Sequence, residues 1–151
     1  MGDNTKVTIG DQLHATETKY SNEVMEYFSE KSAKYQGSLD ESDINTGTGL
    51  VGAPSCGDVL KLQIKVEGDK IVDAKFRTFG CASAIASSAY AVEMLPNLTI
   101  DEAMKIKDTD IAKDLSLPPV KYHCSVLVES AIKSAVSDLN KKQMSENQNG
   151  G

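Results

Sequence analysis

Two stretches of strict alternation constrain this chain most. In Leu60-Lys61-Leu62-Gln63-Ile64-Lys65-Val66 every second residue is a large aliphatic, and Val72-Asp73-Ala74-Lys75-Phe76-Arg77-Thr78 repeats the pattern. A strand turns successive side chains to opposite faces, so both segments predict half-buried strands. Opposed residues of an antiparallel pair share a face. Matching the apolar faces pairs Leu62 with Phe76 and Val66 with Val72, leaving Gly68-Asp69-Lys70 as a three-residue hairpin loop. A further short strand is expected over Gly47 to Val51. The open end of the hairpin brings the glycine-flanked loop around Cys56 opposite Gly80-Cys81-Ala82, so two cysteines distant in sequence return to one edge.

The remaining periodicity is helical. Leu117-Pro118-Pro119 stops any preceding helix and pre-sets the first turn of the next. That helix is predicted from about Val120 to Asn140, on the apolar positions Val120, Cys124, Leu127, Val128, Ala131, Ile132, Ala135 and Leu139. His123 and Cys124 then sit near its N-terminus, where the helix dipole favours a thiolate. Cys81 opens a second helix that runs through small residues to about Leu95. Shorter helices are expected at Ile100 to Ile106, with Thr99 as cap, and around Thr109 to Leu115. A first short helix follows Ser21 through Val24, Tyr27 and Phe28, and residues 29–45 read as a loop. Residues 1–19 are expected to form a flexible arm, and 142–151 a disordered tail.

Bulk properties exclude several classes. The 151 residues suit one domain, here 20–141. With 22 acidic against 16 basic residues the net charge is −6, which argues against nucleic-acid binding. No apolar run approaches the roughly 20 residues that span a bilayer. Three cysteines cannot close into a disulfide framework, and thiol or metal chemistry in a reducing compartment fits them better.

Cys56, Asp58, Cys81, His123 and Cys124 are therefore the candidate ligands. Thiolates suit zinc or an iron–sulfur cluster, and a carboxylate or imidazole completes four-coordination. The plain alternative, small buried hydrophobes, fits one cysteine better than three at two helix starts and a glycine-rich loop. A closed zinc finger carries Cys-x-x-Cys pairs, whereas these ligands come singly from distant segments, as suits a site that releases its cargo. Asp58, being a harder and more exchangeable ligand than thiolate, would weaken retention of a cluster. A zinc hydrolase with Asp58 as base, and a carrier that passes persulfide onward, are the rival readings.

Three stretches carry a family resemblance: Gly47-Thr48-Gly49-Leu50-Val51-Gly52-Ala53-Pro54-Ser55-Cys56-Gly57-Asp58-Val59, Phe79-Gly80-Cys81-Ala82-Ser83-Ala84-Ile85-Ala86-Ser87-Ser88, and Leu117-Pro118-Pro119-Val120-Lys121 with His123-Cys124-Ser125. From about Tyr20 to Lys141 the chain resembles the iron–sulfur cluster assembly scaffolds of the IscU and NifU N-terminal type. The resemblance implies an α+β fold, a small antiparallel sheet of about three strands packed against several helices, with a long C-terminal helix. It implies a scaffold, not a turnover enzyme, that builds a transient [2Fe–2S] cluster from iron (Fe2+) and persulfide sulfur, with Zn2+ able to occupy the cluster-free site. Cys56, Asp58, Cys81, His123 and Cys124 would be the cluster and metal ligands, and Cys124 the persulfide acceptor. A cysteine desulfurase, frataxin and a ferredoxin are implied partners. Leu117, Pro118, Pro119, Val120 and Lys121 resemble the segment bound by a DnaK-type chaperone acting with a J-type cochaperone. Tyr20 resembles a tyrosine associated with a homodimer. The resemblance points to the mitochondrial matrix or a mitochondrion-derived organelle, with a bacterial cytoplasm as the alternative. Two departures are visible: Ser29-Glu30-Lys31-Ser32 stands where the family has Asn-Pro-Arg-Asn, and Ala82 replaces a glycine.

Overall fold

The computed structural model describes residues 20–53 and 58–150. Ser21 caps the first helical run: its Oγ accepts the Val24 N–H at 3.0 Å and donates to the Leu115 carbonyl at 2.5 Å. The run comprises α1 (Asn22–Glu26), a π-helical turn (Tyr27–Lys31) and α2 (Ser32–Tyr35). It is longer than the predicted helix, which stops near Phe28. The extension follows from a carboxylate far along the chain. Glu93 accepts hydrogen bonds from the Tyr27 and Tyr35 hydroxyls and pairs with Lys31 at 3.2 Å. Tyr27, Lys31 and Tyr35 follow one another at i, i+4 spacing, so they share one helix face and can meet one carboxylate.

The sheet is an antiparallel meander of β1 (Thr46–Ala53), β2 (Asp58–Glu67) and β3 (Lys70–Phe79), in that order. Leu62 pairs with Phe76, as the alternation requires. Near the turn the register differs from expectation. Val66 pairs with Ile71, not Val72, through a bulge, and the loop is the two residues Gly68-Asp69. Gly68 has φ +66°, the conformation a type II′ hairpin needs at its first central residue. Ile71 is buried and Val72 is 43% exposed, the reverse of the predicted faces. The cause is a third segment: the Ile71 N–H donates to the Leu98 carbonyl, and the Ile71 carbonyl accepts from the Asn97 N–H, both at 2.8 Å.

α3 (Ala82–Met94) and α6 (Tyr122–Gly150) cover the apolar face, and α4 (Ile100–Met104) and α5 (Asp108–Asp114) close one end. Leu60, Leu62, Ile64, Ile71, Phe76, Leu95, Ile111 and Ile132 fill the core. α4 starts on the predicted Thr99, which makes a reciprocal capping box with Glu102. The outer face is partly covered as well. The segment after α2 bonds the Phe76 carbonyl through the Gly37 N–H, then lays Leu39 over buried Gln63.

α6 lies against β1 closely enough that a Cβ at Gly47 or Gly49 would collide with the Ala135 or Ala131 carbonyl. Asp138 fixes this contact by accepting the Thr48 N–H at 2.9 Å. The helix does not end near Asn140; helical backbone continues to Gly150, where a disordered tail from 142 is expected. Lys141, Lys142, Gln143 and Met144 are good helix formers, and no proline or glycine interrupts them. Lys142 also ties the extension down, pairing with Asp138 at 3.3 Å and donating to the Thr46 carbonyl at 2.8 Å.

Candidate metal centre

Three chain segments converge at the open end of the hairpin. Asp58 is the first residue of β2, and Cys81 is the N-cap residue of α3, two positions after β3 ends. His123 and Cys124 occupy the first turn of α6, which a 3-10 turn (Pro119–Lys121) leads into. The two prolines begin that turn as the sequence predicts, with Pro118 extended and Pro119 at its first position.

His123 Nε2 lies 3.0 Å from Asp58 Oδ2 and 3.5 Å from Cys124 Sγ. Cys124 Sγ lies 4.0 Å from the same Asp58 oxygen and 3.8 Å from Cys81 Sγ. One ligand atom each from Asp58, His123 and Cys124 fall within 4.8 Å of one another. Edges of a tetrahedral zinc site, with bonds of about 2.0–2.3 Å, run roughly 3.3–3.8 Å, so small side-chain movements would close the set on a metal. Asp58, Cys81, His123 and Cys124 are thus brought together. Cys56, the remaining candidate, lies outside the described residues, as do 1–19.

The electrostatics separate the two thiols. Cys81 is half-buried, and its thiol is lowered to about 5. Its hydrogen bond with the Cys124 thiol is the largest cause; the Ala84 and Ser83 N–H groups and the Lys121 ammonium add to the effect, against the cost of burial. Cys124 moves the other way. It is fully buried, and its own bond to Cys81, desolvation, and the charges of Cys81 and Asp58 all push its thiol well above the ordinary range. Helix-start position predicts a Cys124 thiolate, but two anionic neighbours and burial outweigh the dipole. The shared hydrogen bond and the difference in burial favour the thiolate at Cys81 over Cys124.

Lys121 lies beside the site. Its pKa is raised despite burial, through Cys81, Tyr20 and Cys124. Tyr20 packs against the core and reaches this lysine's surroundings. In the Leu117–Lys121 segment Leu117 is buried while Val120 is exposed, so the prolines and valine form the presented part. Sequence reasoning missed an apolar patch beside the site: Phe79 is 79% exposed, with Leu50 and Val59 exposed next to it around one groove. The signal was available, since Phe79 and Val59 oppose each other on the outer face of the paired strands.

The whole chain can be compared with known proteins. The model of the NifU-like N terminal domain matches residues 19–146. The chain is 60% identical over 125 residues to the iron-sulfur cluster assembly enzyme IscU of Drosophila melanogaster, covering 82% of this chain and 80% of the relative. It is 54% identical over 130 residues to iron sulfur cluster assembly protein 1, mitochondrial, of Debaryomyces hansenii, covering 85% and 72%. A solved structure from Fervidobacterium islandicum, described as an iron-sulfur cluster assembly scaffold protein for the SUF system, aligns with a TM-score of 0.64 at 27% identity, over 82% of this chain and 98% of that one. Its α+β architecture is the one found here. The chain belongs to the NifU-like N-terminal domain family.

Proposed function

We propose that this protein is a scaffold on which a [2Fe–2S] cluster is assembled from iron and persulfide sulfur and then passed to acceptor proteins. The observation that carries the reading is the convergence of Cys81, Cys124, Asp58 and His123 from three separate segments around free thiols. Iron and sulfur are cargo here, and soft thiolates with exchangeable oxygen and nitrogen donors suit a cargo that must leave. The names of the fungal and fly relatives support the assembly role.

In this reading a cysteine desulfurase presents a persulfide, and the Cys124 sulfur attacks its outer sulfur. The S–S bond breaks, and the desulfurase cysteine leaves as a thiolate. The proton released from Cys124 as the new S–S bond forms goes to the departing desulfurase thiolate. Because Cys124 is buried, transfer requires the start of α6 to shift outward. Cys56, Cys81 and Cys124, with Asp58 or His123, then hold the cluster, and Zn2+ occupies the same donors when no cluster is present. A ferredoxin supplies the two electrons that reduce each persulfide sulfur to the sulfide of the cluster, and frataxin assists assembly. The exposed Pro119-Val120 segment is offered to a DnaK-type chaperone with its J-type cochaperone, and Tyr20 supports a homodimer. The setting is the mitochondrial matrix or a mitochondrion-derived organelle, a bacterial cytoplasm being the alternative; the mitochondrial name of the Debaryomyces hansenii relative supports the former.

The test is anaerobic incubation with ferrous iron, cysteine and a cysteine desulfurase, followed by visible absorption and transfer to an apo-ferredoxin. A transferable [2Fe–2S] chromophore is expected, with persulfide trapped on Cys124 when iron is omitted. Persulfide without any chromophore in the complete mixture would mark a sulfur carrier instead.

A further inference from the structure

Gly80 stands between the end of β3 and Cys81, and its backbone does not need glycine. Among the described glycines only Gly37 and Gly68 have positive φ. What Gly80 supplies is space. A Cβ there would lie 2.6 Å from Asp58 Oδ1, 3.2 Å from Asp58 Cγ and 2.9 Å from the Ala84 Cβ. None of these neighbours retreats easily. Ala84 is buried in the first turn of α3. Asp58 is only 3% exposed, and its other oxygen is engaged by His123 at 3.0 Å.

The geometry points to Gly80 as a positioning residue for Asp58: the missing side chain leaves the cavity in which the carboxylate is held against the metal donors. This rests on the reading of Asp58 as a ligand. A methyl at position 80 forces the carboxylate to rotate or withdraw, which parts Oδ2 from His123 Nε2 and removes the oxygen from the donor set. Gly80→Ala therefore imitates loss of Asp58 without changing any ligand. If Asp58 is the exchangeable ligand of a cluster, the same substitution also slows cluster release.

The test is a double-mutant cycle on zinc binding by the cluster-free protein, with Co2+ spectra as a second readout. Gly80→Ala should weaken zinc binding about 10–100-fold, the cost of disturbing a group that orients a ligand set. It should also change the ligand-field bands while leaving the thiolate-to-cobalt charge-transfer intensity in place. In an Asp58→Gly background the same substitution should alter zinc affinity by less than about 2-fold, because its contacts with the carboxylate are absent and the one that remains, with the Ala84 Cβ, touches no donor. Equal losses in both backgrounds, or no loss in the wild-type background, would overturn the inference. Should Gly80→Ala alone fail to fold, recovery of the fold in Asp58→Gly/Gly80→Ala supports the Asp58 contact, and continued failure overturns it in favour of simple packing on Ala84. Zinc binding does not depend on assembly. A cycle that behaves as expected in a protein that forms no cluster would refute the proposed function and leave the role of Gly80 standing.

Discussion

Glu93→Ala tests how the N-terminal helical run is attached to the helix that begins at Cys81. Glu93 receives the hydroxyls of Tyr27 and Tyr35, and Lys31 bridges it to Glu26. A hydrogen bond to a charged acceptor contributes about 1.5–3 kcal/mol. The Glu93 side chain is 33% exposed, so water replaces part of each lost bond. Discounting the two phenol bonds by about half for that access gives a loss of about 1.5–3 kcal/mol. At this chain length about 2–4 °C accompanies each kcal/mol, so the melting temperature should fall by about 3–12 °C. Amide exchange should quicken across α1 and α2 more than in β2, whose bonds do not involve Glu93. The pH dependence has a definite sign. Burial raises the Glu93 pKa, but the bonds from Tyr27, Lys31 and Tyr35 more than offset it, and its carboxyl is held below the usual range. Such a group adds stability that is complete above its unfolded value of about 4.3 and lost as the pH falls through the lower folded value. The gap between wild type and Glu93→Ala should therefore be constant above about pH 5.5 and shrink in stronger acid. A fall of under about 2 °C with unchanged exchange in α1 would refute the clasp.

Two further perturbations follow from the same geometry. Gly49→Ala places a methyl against the Ala131 carbonyl and 2.7 Å from the Ala135 nitrogen, so β1 must lift from α6 at a cost of about 3 kcal/mol, read by denaturant unfolding; a loss under about 0.5 kcal/mol would show that the contact yields freely. In metal-free protein, alkylation followed by peptide mapping should label Cys81 ahead of buried Cys124 at neutral pH, with the Cys81 rate falling as pH is lowered through about 5; preferential labelling of Cys124 would reverse the assignment of thiolate and donor.

What was legible in the sequence was local, and what was hidden depended on distant partners. Alternation paired Leu62 with Phe76, and Thr99 announced its helix because a cap and its target lie within one turn. The bulge that exposes Val72 was not legible, since it arises when Leu98 and Asn97 claim the backbone of Ile71. Likewise Tyr27, Lys31 and Tyr35 look like scattered polar positions until Glu93 gathers them. At the site, residue types and motif order singled out Asp58, Cys81, His123 and Cys124 as candidates, and the fold brings these four near one another. The balance between the two thiols was not legible, because helix position is a sequence property whereas burial beside Asp58 and the bond to Cys81 are tertiary ones. At the C-terminus polar composition points to a tail, while strong helix formers and the Lys142 contacts accompany helical backbone that runs on to Gly150.

The central claim is that these donors hold a paired iron–sulfur cargo. Mössbauer spectroscopy of protein reconstituted with isotopically enriched iron and desulfurase-derived sulfide addresses it directly. The account predicts a diamagnetic signal from coupled ferric ions, lost in both Cys81→Ser and Cys124→Ser. Mononuclear high-spin iron alone, or a coupled cluster that survives both substitutions, would contradict it.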